Sequence, residues 1–213
     1  MSEPTRILCP PRPRGKLDPL HELSRFDQSG KWLAQRKFNG IRTLLWVGPN
    51  GEIKLYDRYL KPHNYSLTSR QSSLILNNLN VEQGQEYWFD GEHLHAKTRS
   101  IKDTLVLFDV SWAGRFLFGM TQIDRLNLLA SLCGNPTRLE PGGRAIEAGK
   151  GLWMAEIFDT NFMTHYQEAL DSDWCEGLVL RQRLSKLDTP CRKINEEVRW
   201  QKRARKPSKS YSH

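Results

Sequence analysis

The chain has 213 residues, 38% of them hydrophobic and 26% charged, a balance that supports a buried core and excludes a disordered or fibrous chain. A net charge of +8 at pH 7 points to a polyanionic partner, most simply nucleic acid. No apolar run approaches the roughly 18 residues needed to cross a membrane, and the N-terminus lacks the apolar stretch of a signal peptide.

In chain order, residues 1–16 read as a proline-rich basic leader, partly extended. "LDPLHELSRF" (17–26) spaces Leu17, Leu20, Leu23 and Phe26 as a helix does. "KWLAQRKF" and "GIRTLLWV" read as strands on either side of a turn at Asn39-Gly40, and "EIKLYDRYL" (52–60) as a half-buried strand after a "GPNG" turn. "SRQSSLILNNLN" reads as a helix, and "EYWFDGEHLHA" and "TLVLFDVSW" as strands rich in aromatic and β-branched residues. "TQIDRLNLLASLCG" repeats Ile123, Leu126, Leu129 and Leu132 on one helical face and stops at Gly134. "RLEPGGRAIEAGKG" (138–151) reads as a glycine-rich surface loop without the spacing of a phosphate loop. Then come a strand "LWMAEIF", a helix "NFMTHYQEALD", a strand "EGLVLRQRL" and a last strand "EEVRWQKRA". Single helices interrupting hairpin-like strands favour an α+β fold with mainly antiparallel sheets.

Cys9, Cys133, Cys175 and Cys191 are widely spaced and form no Cys-x-x-Cys pair, which fits reduced thiols in a cytoplasmic, intracellular protein. The charge is uneven: residues 199–209 hold six basic residues and no acid. His93 and His95 share a strand face with Gly91, away from Glu92, and read as core or surface histidines ahead of a metal pair.

Lys37 stands out in "RKFNGIR" (36–42). A lysine amine is a nucleophile only when neutral, and with an ordinary pKa of about 10.4 that form is scarce at pH 7. Burial and neighbouring positive charge increase it. Strand alternation sends Arg36 to the opposite face from Lys37, whereas Arg42, beyond Asn39-Gly40, is placed to approach the same site. Downstream, Asp90 and Glu92 share a strand face, Phe108-Asp109 closes an apolar run, Glu176-Gly177 opens a strand, and Trp200 and Lys202 fall in the basic C-terminal strand.

This order (lysine-x-x-glycine-x-arginine, Asp-Gly-Glu, Phe-Asp, Glu-Gly-hydrophobic, Trp-x-Lys) resembles the nucleotidyltransferase domain of the covalent ligase and capping-enzyme superfamily. It is most similar to the adenylation domain of ATP-dependent polynucleotide ligases, from about Trp32 to Lys206. The segment after Phe108 leans the resemblance toward DNA ligases over RNA ligases. The resemblance implies an ATP-grasp-like domain over residues 17–206, a flexible basic tail over 207–213, and no appended OB domain. It implies that Lys37 attacks the α-phosphate of ATP to form a lysyl-AMP. Gln35 would read the adenine amino group through its amide oxygen. Arg42 and Arg58 would contact ribose or phosphates, and Phe108 would stack on adenine. Glu92 would hold the ribose or a metal-bound water, Glu176 would help bind Mg²⁺ (or Mn²⁺), and Lys202 would neutralise the α-phosphate.

The implied partner of a monomeric enzyme is nicked or broken nucleic acid. The clamp that larger relatives carry in a further domain would come from the basic termini or from a second protein. Two departures stand out. Asn39 takes the place of the usual aspartate, either to lower the Lys37 pKa by removing a carboxylate or to tolerate an unusual turn backbone. Ala204 takes the place of a second lysine in the last strand, with Arg203, Arg205 or Lys206 as substitutes. Alternative readings are an RNA ligase, a GTP-dependent capping guanylyltransferase, and a non-catalytic nucleic-acid-binding module with a decayed nucleotide pocket.

Overall fold

Two β-sheets organise the chain, and the step between them falls at Asn39 and Gly40. The computed structural model describes residues 12–16, 21–117, 119–134, 136, 139–140, 143–145, 151–187 and 196–204. The leader before residue 12, the tail from residue 205, Cys9 and Cys191 lie outside the described residues.

The smaller sheet contains β1 (Arg12–Lys16), β2 (Trp32–Phe38), β11 (Cys175–Gln182) and β12 (Glu196–Ala204), in the order β1-β12-β11-β2. The larger sheet runs β4-β3-β5-β6-β10-β9-β8. Its strands are β3 (Ile41–Val47), β4 (Ile53–Asp57), β5 (Tyr87–Leu94), β6 (Thr104–Ala113), β8 (Leu139–Glu140), β9 (Gly143–Ala145) and β10 (Leu152–Met154), with β7 (Arg115–Phe116) paired to β6. Pairing is antiparallel except between β1 and β12 and between β6 and β10. With α1 (His21–Gln28), α2 (Ser69–Asn77), α3 (Gln122–Leu132) and α4 (Phe162–Leu170), this is an α+β domain of mainly antiparallel sheets.

Three sequence expectations change. Asn39-Gly40 does not close a hairpin: β2 and β3 belong to different sheets, so the dipeptide carries the chain from one to the other. Strand β4 ends at Asp57, not Leu60, because the Asp57 carboxylate accepts from the backbone N–H groups of Tyr59 (2.8 Å) and Lys61 (2.9 Å), and Leu60 sits at φ 65°. The glycine-rich stretch read as a loop contributes β8 and β9, which extend the larger sheet as an antiparallel pair. Strands of two and three residues are too short to show alternation in a sequence.

Helices α2 and α3 start at capping boxes, in which Thr68 pairs with Gln71 and Thr121 with Asp124. The larger sheet buries Leu45, Phe89, Leu107 and Val110 in one core with Ile75 of α2 and Leu129 of α3. The smaller sheet packs Ala34, Leu178 and Leu180 against Leu23 of α1 and Phe162 and Tyr166 of α4. A third cluster joins the sheets: Phe38 meets Leu94, Val106 and Trp153. No helix among the described residues is long and apolar enough to cross a membrane.

Helix α3 is tied to β6 by charge as well as by apolar packing. Arg125, 1% exposed, donates from Nε to Asp109 Oδ1 (3.1 Å), from Nη2 to Asp109 Oδ2 (3.2 Å) and Gln122 Oε1 (2.7 Å), and from Nη1 to the Met120 carbonyl (3.1 Å). Burial alone would raise the Asp109 pKa, but Arg125 and Arg181 outweigh it and hold the carboxyl below its ordinary value. Removing one member of such a pair leaves the other buried and uncompensated. Arg125→Ala is therefore expected to cost about 3–5 kcal/mol in denaturant unfolding; a loss below about 1 kcal/mol would show that the pair is not holding α3 to the sheet.

Candidate functional site

Lys37 lies at the end of β2, where β11 runs antiparallel to it with Gly177 opposite Lys37 and Val179 opposite Gln35. Between Cys175 and Gly177 the register slips, so that Glu176 is the extra residue of a β-bulge. Gly177 adopts φ 132°, a conformation a side chain rarely permits, and the bulge turns the Glu176 carboxylate onto Lys37 Nζ as an ion pair. Arg36 points the other way, as alternation requires: Nη2 donates to Glu168 of α4 at 3.1 Å and the guanidinium lies 5.4 Å from the Phe158 ring centroid.

Across the step between sheets, Asn39 is pinned to the segment before β11. Its backbone N–H donates to the Trp174 carbonyl and its Nδ2 to the Asp173 carbonyl, each at 2.9 Å. An aspartate could not make the second bond, which gives Asn39 a structural role in holding the step. Gly40 has no room for a side chain, since a Cβ there would lie 2.5 Å from the His93 carbonyl oxygen and 2.7 Å from Glu92 Cγ.

On β3, Arg42 stands opposite Glu92 of β5. Its Nε donates to Asp90 Oδ1 at 2.9 Å and its Nη2 to Asp90 Oδ2, a forked pair against a buried carboxylate. Burial pushes the Glu92 carboxyl up to about 7; Lys37, Arg42 and Lys97 pull it down and Asp90 pushes it up. Lys97, from the loop after β5, donates from Nζ to the Gly40 carbonyl at 2.7 Å. Lys37 therefore stands beside Glu176 of its own sheet while sharing the electrostatic field of Glu92 and Arg42 of the other.

Phe108 is also the extra residue of a bulge: Asp109 pairs with Asp90 and Leu107 with Gly91, leaving Phe108 without a partner in register. Its ring centroid lies 5.1 Å from the Arg181 guanidinium and 6.0 Å from that of Arg42. Arg181, 5% exposed on β11, donates from Nη1 to the Phe108 carbonyl (3.0 Å) and to Gln35 Oε1 (2.6 Å), and reaches Asp109 at 3.9 Å. Burial lowers its pKa to about 10, with Asp109 and Asp90 opposing that shift.

Six of the eight expected site residues, Gln35, Lys37, Arg42, Glu92, Phe108 and Glu176, are thus gathered where the sheets meet. Arg58 stands in the exposed turn after β4 with its guanidinium 5.0 Å from the Tyr59 ring centroid. Lys202 is placed by backbone register, opposite Val179; its side chain, and those of Trp200, Arg203 and Ala204, lie outside what is described. His93 and His95 stack at 5.6 Å beside Tyr65, and burial lowers the His93 pKa to about 4. Among the described residues no group of three or more His, Cys, Asp or Glu side chains could hold a metal ion. Glu92 and Glu176 near Lys37 instead suit Mg²⁺, which takes one or two carboxylates and completes its shell with phosphate oxygens and water.

Arg181 and Lys97 are residues of this site that sequence reasoning missed, and Asp109 entered it only within the Phe-Asp motif, without a role of its own. An arginine inside the apolar run "GLVLR" was a usable signal for the first. Lys97 carried none, because its contact comes from the path of a loop.

The architecture has counterparts among solved structures. The chain is similar in fold, over most of its length, to the adenylation domains of ATP-dependent DNA ligases. A mycobacterial DNA ligase D complexed with ATP and MES superposes with a TM-score of 0.52 at 16% identity, over 81% of this chain and 54% of that one. The ligase domain of M. tuberculosis LigD gives 0.52 at 18% identity, over 80% and 53%. The protein Pmar-Lig_Pre gives 0.59 at 18% identity, over 91% and 46%. This chain spans about half the length of these structures. At such identities the likeness is one of fold. No family model matches the sequence, and no curated protein matches it.

The position of Glu92 has a consequence for stability. Its folded pKa of about 7 exceeds the ordinary 4.5, so the folded chain holds the proton more tightly. The contribution favours the fold below pH 4.5 and is lost as pH rises through about 7. Glu92→Gln removes the buried charge, so it is expected to stabilise the protein by about 1–3 kcal/mol at pH 8 and by nothing measurable near pH 4.5. Paired unfolding curves at the two pH values check this; a difference that does not change with pH would contradict it.

Proposed function

We propose that this chain is the nucleotidyltransferase domain of an ATP-dependent polynucleotide ligase, acting on DNA ahead of RNA. The observation that carries the reading is Lys37: a partly buried lysine at the meeting of two sheets, paired with one carboxylate and beside a second, with an arginine across from it. Binding alone does not require that arrangement, whereas transfer of a nucleotidyl group to an amine does.

In this reading the neutral Nζ of Lys37 attacks the α-phosphorus of ATP. A P–N bond forms, the P–O bond to pyrophosphate breaks, and pyrophosphate leaves with the electron pair. A 5′-phosphate oxygen of nicked or broken nucleic acid then takes the AMP from Lys37. Finally the 3′-hydroxyl attacks that phosphate, the two ends join and AMP departs. Arg42, Arg58 and Lys202 serve phosphate or ribose oxygens, and Phe108 offers its ring to the base. Glu92 and Glu176 would hold Mg²⁺, or Mn²⁺ in its place, which neutralises phosphate charge when bound. The net charge of +8 suits a backbone-binding surface whose affinity falls as salt rises. A second protein supplying a clamp, a monomeric state and a cytoplasmic location belong to the same proposal.

The test is covalent labelling with Mg²⁺ and α-labelled ATP, followed by a chase with nicked duplex DNA or a nicked RNA duplex. Wild type is expected to give a labelled band on a denaturing gel, lost by at least about a thousandfold in Lys37→Ala, with the label passing to the DNA 5′-phosphate faster than to RNA. Label that persists in Lys37→Ala contradicts the assignment of the nucleophile. Folded wild type that takes no label turns the reading to a non-catalytic nucleic-acid-binding module.

A further inference from the structure

Asp173 meets the crossing between the sheets twice, through its backbone and through its side chain. Its carbonyl accepts from Asn39 Nδ2 at 2.9 Å. Its carboxylate reaches the other way, to the loop between β5 and β6. Oδ2 accepts from the backbone N–H groups of Arg99 and Ser100, the second at 3.3 Å, and Oδ1 accepts from the Ser100 hydroxyl. Earlier in the same loop, Lys97 donates to the Gly40 carbonyl at 2.7 Å. These contacts close a ring. It runs from Asn39 to Asp173, from Asp173 to Ser100, back along the loop to Lys97, and from Lys97 to Gly40, the chain neighbour of Asn39.

The ring lies where the regular ladder gives out. Strand β2 ends at Phe38, and β11 opens with the bulge at Glu176, so the pairing of the two strands is interrupted beside Lys37. Past Phe38 the connection passes to Asn39, whose N–H donates to the Trp174 carbonyl at 2.9 Å and whose side chain holds Asp173. Lys37 lies just before Asn39 and Glu176 just after Trp174, so these two bonds set the spacing of the Lys37–Glu176 ion pair. The Ser100 hydroxyl and the loop amides hold the Asp173 carboxyl below its ordinary value, against the opposing effect of burial. Its partners are two amides and a hydroxyl, so the carboxylate supplies acceptor geometry that an amide side chain can imitate.

Resting on the nucleotidyltransferase reading above, we infer that Asp173 is a positioning residue for Lys37: its carboxylate closes the ring that fixes the crossing, and with it the strand ends that carry the nucleophile and Glu176. In this assignment Asp173 touches neither the nucleotide nor the reacting atoms. It acts through Asn39 and Gly40, and the loop it anchors holds Lys97 on the Gly40 carbonyl.

Asp173→Ala opens the ring and leaves the backbone carbonyl in place. Asp173→Asn keeps it closed, because the amide oxygen accepts from the two backbone N–H groups and Nδ2 donates to the Ser100 oxygen. In single-turnover labelling with ATP and Mg²⁺, Asp173→Ala is expected to lower the rate at saturating ATP by about tenfold or more. Half-saturating ATP is expected to stay within about threefold of wild type, since a misplaced nucleophile slows the step without weakening binding. Asp173→Asn is expected to keep a rate within about threefold of wild type. The links act in series, so in a Lys97→Met background Asp173→Ala is expected to cost less than about threefold further. An undiminished rate in folded Asp173→Ala, a loss confined to ATP affinity, an Asn variant as slow as the Ala variant, or a full further loss in the Lys97→Met background overturns the inference.

Hydrogen exchange at the Asn39 amide reads the ring without nucleotide. It is expected to quicken by about tenfold or more in Asp173→Ala while the amides of β6 keep their protection. Unchanged exchange overturns the inference. Faster exchange together with a wild type that takes no label keeps the ring and removes the nucleotidyltransferase reading. Normal labelling of wild type with no slowing in the variant removes the positioning role alone. Should Asp173→Ala fail to fold, Ser100 decides from its exposed place in the loop. Ser100→Ala is expected to slow labelling by about threefold or more and Ser100→Thr, which keeps the hydroxyl, to restore it; equal rates in the two overturn the inference.

Discussion

A side chain at residue 40 has nowhere to go. The carbonyl of His93 and the Cγ of Glu92 occupy the space a Cβ would need, and the chain passes from the smaller sheet to the larger one at that point. The close crossing brings Lys37, near the end of one sheet's edge strand, into the electrostatic field of Glu92 and Arg42 on the other. Asn39 holds the crossing from the far side through two bonds to the segment that leads into β11. Lys97 closes it by donating to the Gly40 carbonyl. The spacing lysine-x-x-glycine is thus a geometric requirement: it is the length of chain needed to leave β2 and enter β3 without a side chain in the gap.

Charge is buried on both sides of this crossing, and each charge has its partner. Arg42 forks onto Asp90, Arg125 onto Asp109, and Arg181 bridges Asp109 to Gln35. Such pairs add little net stability compared with apolar packing, since their desolvation offsets their attraction. Their effect is to fix orientation. The Arg125–Asp109 pair holds α3 against β6, Asp109 lies within reach of Arg181, and Arg181 decides which end of the Gln35 amide is presented. A chain of polar contacts therefore runs from the outer helix to Gln35 beside Lys37 on β2, each link set by donors that can face only acceptors. Glu92 is the exception. Its carboxyl lies near 7, because the cations around it do not fully offset its burial.

Part of this was legible in the residues. Strand alternation put Lys37 and Arg36 on opposite faces of β2, and Asp90 and Glu92 together on β5; the structure keeps Arg36 on Glu168 and Lys37 on Glu176, and Asp90 and Glu92 both beside Arg42. Glu176 and Phe108 are different. Each is the extra residue of a β-bulge, where the period of two breaks, so no count along the strand could say where either side chain points. Their roles entered through resemblance in motif order alone. The step at Asn39-Gly40 was misread as a turn because asparagine-glycine between two apolar runs is a strong hairpin signal. Nothing local distinguishes a turn within a sheet from a passage between sheets; that depends on β11 pairing with β2 across more than a hundred residues. Arg181 and Lys97 escaped for the same reason, since their partners are distant in sequence.

The central claim is that the crossing at Gly40 makes Lys37, and no other lysine, the nucleophile. Peptide mapping tests it most directly. The protein is incubated with nucleotide and Mg²⁺, digested under alkaline conditions that preserve a P–N bond, and the modified peptide is sequenced by mass spectrometry. The account predicts a single nucleotidyl group on the peptide that contains Lys37. A group carried by Lys97, by a lysine of the basic C-terminal strand or by a residue that is not a lysine would contradict it.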